Sequence, residues 1–276
     1  MANALTFIDA HLFDLQKANV LAAMLIIGGL ILYYIYHARR GKSLFIRRIP
    51  GLESVEEAIG RATELGKPIL YVSGIGTQDN MATIAAMNIL GYVAEHVAHY
   101  DTDLTVPCID PIVMTIEQEV VRNSYARAGR PENYREEHIY FATNQQFPYA
   151  MAVSGTIIRD RPAANFFLGS FAAEALILAE AGASTDAIQI AGTDQVAQIP
   201  FFIVACDYTL IGEELFAASA YLSREPLLLG SLKGQDASKL IIIAALVAGI
   251  ALVSVQVFVT TDVSSWFARL FAVVTG

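Results

Sequence analysis

Residues 69–87, ILYVSGIGTQDNMATIAAM, run from a β-rich apolar stretch through a turn bearing Gly74 and Gly76 into the start of a helical pattern. Strand, tight turn and helix N-terminus in that order form the unit with which parallel α/β sheets often hold a phosphate, because the first helical N–H groups and the helix dipole face the loop. The unit sets the fold class expected of the chain around it. Whether the loop holds anything is a separate question.

The alternation continues in both directions. Upstream, Ser54 heads VEEAIGRATELG with Glu57 as a capping box and Gly66 as a stop. Downstream the pattern predicts strands over 68–74 and 104–110 and helices over 80–100 and 111–129, with Pro111 at a first helical position. A βαβα start of this kind is right-handed. A third strand is expected at 138–144, while 147–161 reads as helix or strand because Gly155 and the paired isoleucines interrupt the period. Residues 162–182 read as a helix stopped by Gly182, and 187–193 as a strand. In 195–222, IPFFIVACD is either a strand ending at Asp207 or, with Pro200 in the first turn, part of one long helix; YTLIGEELFAASAYL is helical in both readings. The whole predicts an α/β, Rossmann-like, mainly parallel sheet with helices on both faces.

The ends of the chain have a different character. Of 276 residues, 55% are hydrophobic and 16% charged, which is more apolar than an ordinary soluble domain. NVLAAMLIIGGLILYYIY (19–36) and LIIIAALVAGIALVSVQVFV (240–259) are uncharged and long enough to cross a bilayer as helices. The expected order is an interfacial segment (1–18), a transmembrane helix (19–36), a basic juxtamembrane segment (37–49), the α/β domain (50–226), a linker (227–239), a second transmembrane helix (240–259) and a C-terminal interfacial helix (260–276). The first apolar run begins only at Asn19, lacks a small-x-small exit and ends in tyrosines followed by arginines, which favours an uncleaved anchor over a signal peptide. Arg39, Arg40, Lys42, Arg47 and Arg48 follow it against Lys17 before it, and Lys233 and Lys239 precede the second span with Arg269 beyond. By the positive-inside rule the central domain is cytoplasmic and both termini lie outside. Leu5, Ile8, Leu12 and Leu15, and later Trp266, Leu270, Phe271 and Val274 behind Asp262, recur at helical spacing, suited to the membrane interface or to a partner subunit. Ala163–Ala181 is apolar enough for a third span, but Glu174 and Glu180 would each cost about 3 kcal/mol at a bilayer centre, so a helix packed on the sheet is expected instead.

The net charge is −9, and beyond the juxtamembrane arginines no basic face appears, which argues against a nucleic-acid partner. Cys108 and Cys206 are too few for a disulfide framework or a four-cysteine zinc site, and in a cytoplasmic domain both should be reduced.

Three expected strand exits share a chemistry: Gly76-Thr77-Gln78-Asp79-Asn80, Thr143-Asn144-Gln145-Gln146 and Gly192-Thr193-Asp194-Gln195. In a parallel sheet they lie on the carboxyl edge, so Thr77, Gln78, Asn144, Thr193 and Asp194 are the candidate ligand-binding residues. Helix capping by Asp79, Asn80, Asp110 and Asp194 explains much of the same pattern. A phosphate fits the first loop poorly, because Asp79 stands where GxGxxG needs its third glycine and a carboxylate repels the ligand. There is no GxxxxGK[ST]. His96, His99 and Asp101 are weak metal candidates, since histidines at a helix C-terminus are favoured by the dipole alone. Neither cysteine has an obvious histidine base, so no catalytic residue is assigned. No cofactor follows from the sequence. Arg159-Asp160-Arg161 reads as a salt-bridged turn or a subunit contact.

AANFFLGSFAAEALILAEAG, IQIAGTDQ and CDYTLIGEELFAASAYLSREPLLLGSLKGQD together resemble an uncharacterised family of prokaryotic membrane-anchored proteins, a domain of unknown function, over about Ile46 to Val259. The resemblance implies a membrane-tethered α/β domain, expected at the cell's inner membrane, and carries no catalytic residue across. Two functions are expected to compete. One is a non-catalytic scaffold that binds the bilayer and self-associates, with other membrane-complex subunits as further partners, through Phe166, Phe167 and Phe171 and through small residues at Gly28-Gly29 and Ala248-Gly249. The other is a sensor or enzyme holding a nucleotide-like or polar metabolite at the carboxyl edge.

Overall fold

Between Pro50 and Ser223, apolar runs bounded by glycine, proline and amides become strands, and the longer periodic runs become the helices that cover them. The computed structural model describes residues 18–40, 50–100, 102–223 and 225–258. The chain divides into two compact units, Arg47–Arg224 and the two ends, Met1–Ile46 with Glu225–Gly276.

In the central unit, α2 (Pro50–Leu65) leads to β1 (Ile69–Gly74), α3 (Met81–Ala98), β2 (Leu104–Cys108), α4 (Pro111–Arg127), β3 (Ile139–Phe141), α5 (Gln146–Asp160), β4 (Ala164–Ser170), α6 (Glu174–Ala183), β5 (Ile188–Thr193), α7 (Ile199–Ala205), β6 (Tyr208–Ile211) and α8 (Glu213–Ser223). All strand pairs are parallel, in the order β3-β2-β1-β4-β5-β6. This is the doubly wound order, in which the chain reverses direction across the sheet between β1 and β4. Alternate side chains of β1 and β4 feed two cores. Ile69, Tyr71, Phe166 and Leu168 pack with α3 on one face, and Leu70, Val72 and Phe167 pack with Tyr149, Leu178 and Phe202 on the other.

Several expectations fail for identifiable reasons. Residues 162–182 are not one helix. Ala164–Ser170 is one of the two central strands, buried at every position, and the helix begins only at Glu174. Burial on both faces overrides the helix propensity of an Ala-, Leu- and Phe-rich run. Phe166, Phe167 and Phe171 are therefore core residues, not subunit contacts. Gly182 does not stop the helix but lies within α6, where a Cβ would fall 1.9 Å from Gln189 Oε1. Residues 195–222 follow neither alternative, and Tyr208–Ile211, expected to be helical in both, is strand β6. A short helix starting near Pro200 ends before Cys206, and Asp207 opens β6 instead of closing a strand, accepting from Gln189 N at 2.8 Å. Helix α2 begins at Pro50, so Ser54 is a buried residue inside it and no cap, whereas Gly66 does take the left-handed stop conformation at φ 60°. Residues 147–161 resolve as helix.

In the terminal unit, α1 (Ala18–Arg39) packs along α9 (Pro226–Phe258), which continues as helix through the expected linker 227–239. Both are long and apolar enough to cross a membrane, over Val20–Arg39 and Pro226–Leu252. The close approach is made by Gly230 and Gly234, where a Cβ would lie 2.5 Å from Ile35 Cα and 2.6 Å from Ile31 Cα. A GxxxG spacing lets helix backbones meet in this way. Gly28 and Gly29, expected to pack, have nothing within 4 Å. Both expected interfacial segments lie outside the described residues, as does most of the basic juxtamembrane run.

Candidate functional site

The switch point between β1 and β4 is where a doubly wound sheet normally opens a ligand crevice. Here the two strand exits stay joined. Gly74 pairs with Ser170 beyond a bulge, and Ile75 N donates to Ser170 O at 2.8 Å. Gly74 (φ 81°) and Gly169 (φ 138°) make the approach possible, because a Cβ at either would lie 2.1 Å from a carbonyl oxygen of the opposing strand, Ser170 O or Ser73 O. Only glycine fits such positions. Gly76 is equally confined, its missing Cβ falling 2.2 Å from Thr83 Oγ1. The glycines of the opening loop thus serve strand contact and loop packing.

The turn residues beyond the strands mostly bond among themselves. Thr77 Oγ1 donates to Asp79 Oδ1 at 2.5 Å, and that bond holds the Asp79 carboxyl below its ordinary value. Asp79 is thus not the helix cap. Asn80 is, accepting from Ala82 N at 2.9 Å and Thr83 N at 3.3 Å. Asp110 caps α4 as expected, through Ile112 N and Val113 N. Thr193 is buried and accepts from Gln195 N at 3.2 Å, and Thr143 accepts from Gln145 N at 3.3 Å, so these two exits share a turn. Asp194 bonds Gln195 Nε2 at 3.2 Å and caps no helix. Gln78 and Asn144 are exposed. With strands about 4.8 Å apart, the four steps from β3 to β5 separate Asn144 from Thr193 and Asp194 by roughly 19 Å, with Thr77 and Gln78 between them. The five residues share an edge without meeting in one cleft.

Beneath that edge lies a buried polar cluster that none of the sequence motifs announces. Glu117 on α4 is fully buried; its Oε2 accepts from Cys108 Sγ at 2.9 Å, and its Oε1 has no hydrogen-bond partner. Burial pushes its carboxyl up to about 7, against the smaller lowering effects of Cys108 and Ser73. The Cys108 thiol is pushed far above its ordinary value, first by burial and then by the charge of Glu117. Cys206 is pushed up to about 12 by burial and then Asp207. Neither thiol is an activated nucleophile. The signal for Glu117 was present in the sequence, since it interrupts the buried stripe Val113, Val121 and Tyr125 at helical spacing. On the other face, Glu174 is buried and accepts from Ala172 N at 2.8 Å and Gln146 Nε2 at 2.5 Å.

His96 stacks on Tyr92 and its Nδ1 lies 2.9 Å from Tyr92 O, while His99 is the C-cap of α3. Among the described residues no group of histidine, cysteine and carboxylate side chains is placed to hold a metal, and Asp101 lies outside them. Arg159 makes a two-pronged bond to Asp160, at 2.7 and 3.0 Å, from which Arg161 is excluded.

A doubly wound α/β domain with a joined switch point, in a chain with two candidate membrane-spanning helices, defines the class. The chain belongs to the family described as Domain of unknown function (DUF6754), whose model matches residues 8–264. No curated protein and no solved structure matches it.

Proposed function

We propose that the chain is a membrane-anchored, non-catalytic scaffold that assembles with further copies of itself. The observation that carries this reading is the apolar surface on the β6 edge of the sheet. Phe202 fixes α7 to the core, stacking on Phe167 and meeting Phe171 edge-on at ring-centroid distances of 6.2 and 5.2 Å. Leu210 of β6 is buried, but Val204 is 88% and Val196 80% exposed, and Phe201, Ile203, Tyr208 and Ile211 are also exposed. So many exposed large apolar side chains on one short helix and the adjoining strand support an interaction site there. Strand addition is impeded there, because Ile211 N is already bonded to Glu214 Oε2 at 3.1 Å, so the contact is made by side chains. The joined switch point supports the non-catalytic part. In this reading the two spans cross the inner membrane of a prokaryotic cell, the central domain is cytoplasmic and both termini are outside, as the basic flank of the first span supports. Light scattering of the chain extracted in mild detergent tests it. A multiple of 29.9 kDa is expected for the protein component, falling to one copy in Ile203→Glu/Val204→Glu; a wild-type monomer sinks the proposal.

One observation favours a second reading, in which a polar metabolite or nucleotide is held at the carboxyl edge by Thr77 and Gln78 at the β1 exit, without Asn144, Thr193 and Asp194, which lie on other exits. Thr83 Oγ1 is buried under Gly76 with no hydrogen-bond partner. A thermal-shift screen against nucleotides addresses it, and Thr77→Ala with Gln78→Ala should abolish any shift.

A further inference from the structure

The opposite edge of the sheet carries a cleft of about 280 Å³ lined by Arg61, Lys67, Arg161, Ser184, Thr185 and Asp186. The strand order assembles it. Lys67 immediately precedes Pro68 and β1, Arg161 and Pro162 precede β4, and Asp186 precedes β5, while Ala163 N bonds Pro68 O and Ile188 N bonds Ala163 O, both at 2.9 Å. Among the described residues, the side chains of Arg61, Lys67 and Arg161 have no hydrogen-bond or ion-pair partner. We propose that this cleft binds a small phosphate-bearing anion, with Arg161 as its principal ligand.

Helix dipoles explain part of the arrangement. The C-termini of α2, α5 and α6 meet at this edge, and basic residues there are favoured without any ligand. They do not explain the cleft itself, nor the backbone of Arg161. That residue caps α5 in the left-handed conformation (φ 43°, ψ 62°), the only non-glycine residue with positive φ among those described. Helix α2, ending on the same cleft, uses Gly66 for the same turn. An arginine at such a position costs about 1 kcal/mol or more relative to glycine, a strain that a functional side chain can justify. Its neighbour Arg159, which could have shared Asp160, takes both carboxylate oxygens and leaves the Arg161 guanidinium unpaired. Two arginines and a lysine lining one cleft match phosphate oxygens, and Arg can engage two of them at once. The volume is just below the usual range for small-molecule sites, so it suits a phosphate or diphosphate group and excludes a whole dinucleotide. Asp186 on the rim opposes the anion.

The test uses the full chain in phosphatidylcholine nanodiscs, titrated calorimetrically with inorganic pyrophosphate. Saturable binding is expected, about tenfold weaker or worse in Arg161→Gly. Glycine suits the backbone there, so the melting temperature of that variant should not fall. Asp186→Asn should tighten binding, an effect that a purely dipole-neutralising role for the cations would not give. If pyrophosphate is not bound, but phosphatidylglycerol nanodiscs raise the melting temperature of the wild type and not of Arg161→Gly, the phosphate belongs to a lipid headgroup and the assignment of the cleft stands. Absence of both effects overturns it, as does binding indifferent to Arg161→Gly and Asp186→Asn.

Discussion

Replacing Glu117 by Gln should make the domain more stable at alkaline pH and remove a pH dependence that the wild type carries. Glu117 is fully buried, takes one hydrogen bond from Cys108 Sγ at 2.9 Å, and has no partner on its second oxygen. Its carboxyl is raised in the folded state from 4.5 to about 7, chiefly by burial. A group whose folded value lies above its unfolded one holds its proton more tightly when folded. The folded state is then unpenalised below about 4.5, loses stability as pH rises between the two values, and carries the full cost above about 7. Converted at 1.36 kcal/mol per tenfold change, that cost is roughly 3 kcal/mol at pH 8.

Glutamine keeps the shape and, with its carbonyl turned to Cys108, still accepts from the thiol. The difference in unfolding free energy between variant and wild type, in which all other titrating groups cancel, should be small at pH 5 and reach about 3 kcal/mol in favour of the variant at pH 8. Denaturant unfolding of the full chain in detergent, followed by far-ultraviolet circular dichroism from pH 5 to 8, measures it. Parallel pH profiles for the two proteins would falsify the assignment of Glu117 as the titrating group.

Further positions give defined outcomes. Gly169→Ala, which sets a methyl against Ser73 O and forces an L-residue to φ 138°, should cost roughly 2 to 6 kcal/mol by adding backbone strain to overpacking, seen as a lost or lowered melting transition. Asn80→Ala should lose about 1 kcal/mol through the missing cap of α3, and Asn80→Asp should recover it, by the same unfolding assay. In maleimide labelling at neutral pH the folded chain should react negligibly at Cys108 and slowly at Cys206, with both reacting fully once unfolded; rapid labelling of Cys108 would contradict its burial against Glu117.

The sequence made the parallel α/β class legible because β1, β2 and β5 are short apolar runs bounded by glycine, proline or acidic turns, and because Asn80, Asp110 and Gly66 punctuate helices in the ordinary way. Strand β4 was not legible. Its residues, ANFFLGS, have no β-branched members and no alternation, since both faces of the central strand are buried, and an apolar helix begins almost at once. Losing β4 also concealed the switch point and the strand that separates the exits of β1 and β5. Strand β6 was lost because four residues between a short helix and a long one carry too little periodicity to register. At the candidate site, turn residues announced themselves by type, while Glu117 needed the helical stripe around it to be noticed.

The two edges of the sheet show why strand order alone is a poor guide to where a ligand sits. Ligands gather at the carboxyl edge of doubly wound folds because the loops leaving the two strands at the switch point diverge there. That divergence is not a property of the order. It needs the strands to part, and a residue with a Cβ at either exit would force them to do so. With Gly74 and Gly169 in place, β1 and β4 remain paired to Ser170, Ile75 N continues the contact, and Gly76 folds back onto Thr83. At the amino edge the same strands are entered from helices that end in the same left-handed turn, α2 with Gly66 and α5 with Arg161, and unpaired cations rather than amides line the opening. The chemistry available to this domain is therefore set by a few backbone positions, three glycines that bring chain segments together and one arginine held where glycine would be cheaper.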